Sequence, residues 1–138
     1  MTILKQWVWP VVAGFVVASA VMMAFELTNS FFYPLPADLD WYDTAAVQAL
    51  TKSLPWTAFI LVILGWAVGS FCGGYITSRL AGETRFRVTA VLAILLVLAG
   101  IANVLMLGHP MVFTIIGLAV LAVFPYLGYL AYRVFEKK

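Results

Sequence analysis

The stretch Pro55–Arg79, PWTAFILVILGWAVGSFCGGYITSR, decides the fold. An apolar run of this length crosses a bilayer as a helix. Proline stands at its first turn, where a missing N–H costs nothing, and arginine follows its last apolar turn. Gly65, Gly69 and Gly73 recur every four residues and share one helical face, with Ser70 and Gly74 beside them. Lipid tails are as apolar as leucine, so the hydrophobic effect no longer drives helices together. A strip of small residues instead lets another backbone approach closely. The stretch predicts the packing spine of a small polytopic membrane protein.

Working outward, three more runs approach or exceed the roughly 20 residues that a crossing needs: 7–29, 88–107 and 111–132. With 55–78 they make four spans, and only helices satisfy the backbone of such continuous runs in lipid. The expectation is an all-α integral membrane four-helix bundle in a single domain, residues 1–138. Composition agrees, with 64% apolar and 10% charged residues in 138 and a mean hydropathy of +1.04. A soluble domain of this size could not hide so much apolar surface. The net charge of +2, with no dense basic stretch, argues against nucleic acid as a partner. The bilayer itself is the expected partner. A single cysteine, Cys72, allows no intrachain disulfide. Metal-ligand spacings, phosphate-binding glycine loops and nucleophile elbows are absent, so no catalytic residue, metal or cofactor is expected. Lys5, the run from Trp7 and Ala18-Ser19-Ala20 imitate a cleavable leader. The run continues through Phe25, however, and reads as a full span.

Orientation follows from the cations. With the N-terminus cytoplasmic, the inner side holds Lys5, Arg79, Arg85, Arg87, Arg133, Lys137 and Lys138, and the outer side only Lys52. That bias predicts both termini inside, in a bacterial inner membrane. Trp7, Trp9, Tyr129 and Tyr132 then mark the inner interface, and Trp41, Tyr42 and Trp56 the outer.

The connection 30–54 is the long one. Pro34 and Pro36 prevent helix through its first half. A short helix is expected over 41–51, capped by Asp40, with Asp43 favourable at its N-terminal end. Val47, Leu50 and Leu54 fall at helical spacing, so this piece closes the bundle as a lid or lies on the outer surface. The turn Leu107-Gly108-His109-Pro110 is so tight that the third and fourth spans must be antiparallel neighbours. Pro125, inside the fourth span, is expected to kink it near Gly128.

Polar residues at depth are few. Glu26 lies 19 residues after Trp7, roughly 28 Å along a helix, and so near the outer interface. Asn29 follows one turn later, Asn103 sits one turn from the outer end of the third span, and His109 lies in the outer turn. With antiparallel helices all four fall in one outer layer. They form a candidate ligand or proton site, or a structural polar clasp, since ionisable groups at membrane depth often mark transport pathways. Trp66, near mid-span, is expected to find a partner for its indole N–H. Gly14 and Ala18 make a small pair on the first span that can meet the strip of Gly65, Gly69 and Gly73, within one chain or between protomers. Three function classes follow. They are an accessory or scaffold subunit of a homo-oligomer or larger membrane complex, a small transporter or channel using Glu26 and Asn103, and an enzyme with His109 as base oriented by Glu26.

Overall fold

The computed structural model describes residues 2–138. Its helices are α1 (Trp9–Phe32), α2 (Thr44–Ser53), α3 (Trp56–Leu80), α4 (Arg85–Leu107) and α5 (Met111–Glu136), and the described residues contain no strand. A π-helical turn, Leu4–Val8, leads straight into α1, and a 3-10 turn, Gly82–Thr84, precedes α4. All but α2 are long and apolar enough to cross a membrane, which suggests an integral membrane protein.

Glycine puts α3 at the centre. A Cβ at Gly73 would stand 2.6 Å from the Gly14 carbonyl oxygen and 2.9 Å from the Ala18 methyl. One at Gly69 would stand 2.8 Å from the Ala18 carbonyl oxygen, and one at Gly65 2.6 Å from Phe25. The small-residue strip of α3 therefore packs on α1 of the same chain. Around the helix, Gly74 lies against the backbone of Pro125, and Gly128 against that of Phe71. Close approach there seats α5 on the flank of α3, and α5 runs through Pro125 as continuous helix. Helix α4 packs beside α5 and α3 to complete the bundle.

The middle of the bundle is filled by Trp66, Leu92, Leu96, Phe113 and Leu121. Trp66 meets Phe113 edge to face, with centroids 5.3 Å apart. Its ring fits because Gly117 has no Cβ, which would stand 2.8 Å away. No hydrogen bond to the Trp66 indole occurs among the described residues, although the ring lines a cavity whose wall also carries Ser19, Glu26 and Asn103.

At the end that holds both termini, buried hydroxyls are paired. Thr77 donates to the Pro10 carbonyl across α1 and α3 at 3.1 Å. Ser78 and Thr89 share a 3.1 Å bond between α3 and α4. Arg85 and Glu136 form an ion pair that joins the start of α4 to the end of α5. Both helices thus extend past the apolar runs 88–107 and 111–132, because a helical backbone does not stop at the first charge.

The opposite end is closed by α2, which begins at Thr44 rather than at residue 41. Asp43, not Asp40, is the cap, accepting from the Ala46 N–H at 3.2 Å. Asp40 instead accepts from the Tyr42 N–H at 2.9 Å, holding Trp41 and Tyr42 in a turn. Both aspartates can cap; the turn between them selects the second. Val47 and Thr51 are buried, so one face of α2 lies on the bundle. Gly108 ends α4 in the left-handed conformation (φ +67°), and a Cβ there would press on Gln48 of α2.

Candidate functional site

Helix α2 roofs a cavity of about 230 Å³. Glu26 and Asn29 enter its wall from α1, Asn103 from α4 and His109 from the turn before α5. Helical periodicity explains this convergence. Glu26 and Asn29 are three residues apart and share a face, and the tight turn after α4 carries His109 back over the same end. The remaining lining is largely apolar, with Val47 and Leu50 from α2 and Ala58, Phe59 and Val62 from α3. Glu26, Ser30, Leu35 and Trp41 are exposed and form an open rim, whereas Ala58 and Phe59 are buried at the base.

The four polar residues share this space without bonding to one another. No hydrogen bond between them occurs among the described residues, so they do not act as a direct clasp. The side-chain carbonyl oxygen of Asn29 and Nδ1 of His109 are buried with no partner. Buried polar atoms are normally satisfied, and each such orphan calls for an explanation.

His109 is fixed by its packing. Its ring stacks on Phe113 at 4.2 Å between centroids, tilted 14°, and meets the Phe59 ring edge to face at 5.8 Å. Burial lowers its pKa to about 4, so the imidazole is neutral near pH 7. A neutral imidazole with no carboxylate orienting it is a poor match for an acid–base catalyst working at that pH.

A second cavity of about 190 Å³ continues inward from Glu26 and Asn103. It ends on Trp66, Leu96, Gly100 and Leu121, where the packed core begins. No group of three His, Cys, Asp or Glu side chains converges among the described residues. A transition metal would therefore lack its usual three or four protein ligands here.

Sequence reasoning reached the polar members of this site but not its apolar base. Polar residues stand out in an apolar span, whereas Phe59 and Val62 look like any other membrane residue. The helical spacing of Val47 and Leu50 was the one available sign that α2 contributes. Gly14, Ala18, Gly65, Gly69 and Gly73 all lie in the α1–α3 seam and do not line the cavity under α2. No protein-family model, curated protein or solved structure matches the chain, so its function must be argued from this geometry.

Proposed function

We propose that the chain is a non-enzymatic integral membrane protein that works as a monomeric accessory bundle and binds a small ligand at its α2 end. The observation that carries this reading is the cavity under α2, where two buried polar side-chain atoms have no partner, whereas the buried hydroxyls Ser70, Thr77, Ser78 and Thr89 are all hydrogen-bonded. The orientation we favour has both termini cytoplasmic, in a bacterial inner membrane, with α2 on the outer face. Seven of the eight cations then lie inside, which supports it.

Three alternatives fit less well. An enzyme would need His109 oriented by Glu26, and no such bond is made. A homo-oligomeric channel would need the small-residue strip for contacts between protomers, but that strip is occupied by α1 of the same chain. A transporter gains some support because Glu26 and Asn103 line both cavities. The route stops at the aromatic and aliphatic core around Trp66 and Phe113, however. Native mass spectrometry of the protein in nanodiscs tests the monomer. Wild type is expected as a single chain, and Gly69→Leu as a misfolded or less stable one. A defined wild-type oligomer that dissociates in Gly69→Leu would overturn the reading and move the strip to a protomer interface.

A further inference from the structure

We infer that the cavity beneath α2 takes a small organic ammonium compound, an apolar body bearing a protonated amine, with Glu26 as its counter-ion. This rests on the cavity being a binding site and adds the chemical class of its ligand.

The charges, donors and acceptors on the cavity wall decide the class of ligand. Hydroxyl donors on the wall are already spent on backbone carbonyls. Ser30 donates to Glu26 at 3.0 Å, and Thr51 donates to Val47 at 3.0 Å. What is left unpaired includes the buried side-chain carbonyl oxygen of Asn29 and Nδ1 of His109, and the exposed Glu26 carboxylate accepts no hydrogen bond among the described residues. The wall carries one carboxylate and no lysine or arginine. Glu26 forms no ion pair among the described residues.

An ammonium group fits this set. It has three donors and no acceptor, and its charge neutralises the carboxylate at the rim through a charge-assisted hydrogen bond, which is stronger than a neutral one. A neutral alcohol would bring only one donor and leave the carboxylate uncompensated. An anion would meet Glu26 with repulsion. The exposed indole of Trp41 stands at the same rim as Glu26, and an aromatic face there also favours a cation. The apolar lining fixes the body of the ligand, and the volume fixes its size. About 230 Å³ lies below the roughly 300 Å³ at which drug-sized pockets begin, which leaves room for one ring or a short chain.

The test is isothermal titration calorimetry on the full chain in phosphatidylcholine nanodiscs, which carry no net lipid charge, with empty nanodiscs subtracted. The probes are 2-phenylethylamine, 2-phenylethanol and 3-phenylpropionate near neutral pH. The amine is expected to bind saturably and at least about tenfold more tightly than the alcohol, and the propionate not at all. Glu26→Gln should erase the preference for the amine, and Glu26→Asp should retain it. Both variants replace a side chain that makes no hydrogen bond here, so an unchanged melting temperature will show that they fold. Three results would overturn the inference: equal binding of amine and alcohol, a preference that survives in Glu26→Gln, or no saturable binding of the amine. Equal binding of amine and alcohol would leave the cavity as a binding site and remove only the ligand class. The native mass decides the monomer separately.

Discussion

The two ends of the bundle both bury polar side chains, but they dispose of the hydrogen bonds differently. At the termini end Thr77, Ser78 and Thr89 each bond to a carbonyl or to another hydroxyl. Two of these bonds run between helices. At the α2 end the side-chain carbonyl oxygen of Asn29 and Nδ1 of His109 are buried beside a cavity and have no partner among the described residues. An unmade bond in a low-dielectric interior costs free energy, so the α2 end is held in place by packing and by the rest of the fold. The difference teaches where binding energy is still to be gained. The termini end has already used its polar groups for structure, and the α2 end keeps them available.

The strongest way to break that contrast is to attack the seam that holds both ends in register. Gly73→Leu would drive a side chain into the Gly14 carbonyl, a backbone group that cannot step aside. A loss of about 3 kcal/mol is expected, at the upper end of the cost of overpacking. Denaturation in detergent, or a thermal melt, measures it. A near-neutral result would mean that α1 and α3 are not in contact at this point.

A matched pair of substitutions sharpens the comparison. Thr77→Val removes the bond to Pro10 at the paired end and is expected to cost about 1 kcal/mol. Asn29→Leu removes an orphan from the other end and should leave stability unchanged or raised. Comparable losses in the two variants would show that Asn29 is paired after all.

The smallest effect is a dependence on pH confined to the α2 end. His109, the only histidine, has its pKa lowered by burial from 6.5 to about 4 in the folded chain. Between these values the unfolded chain binds the proton and the folded one resists it. Stability from this ring is therefore complete above about pH 6.5 and declines as pH falls toward 4. The ring is partly open to solvent, which makes the slope shallow. The effect is read as the difference between wild type and His109→Gln, whose profile should be flatter in this window. Identical profiles would mean a solvated imidazole.

Much of this was legible in the chain. Four apolar runs and a two-proline break determine four long helices and an irregular connection, because lipid tolerates no unpaired backbone. The polar residues Glu26, Asn29, Asn103 and His109 could be assigned to one layer from helix rise and alternating direction. The start of α2 was less legible, since Asp40 and Asp43 have equal capping chemistry and only the turn at Trp41 and Tyr42 separates them. The apolar base of the cavity was not legible at all. Phe59 carries no mark that distinguishes a cavity wall from a lipid-facing ring.

The sequence by itself determined the helices, their apolar character and the small-residue strip, because these depend on local composition and period. Only the tertiary structure decided which surface the strip meets, which hydroxyls are paired, and that α2 roofs a cavity with unbonded polar atoms. Those outcomes depend on side chains distant in sequence meeting at ångström precision. Gly73 meeting Gly14, and His109 stacked on Phe113 beside Phe59, are facts of packing that no period along the chain encodes.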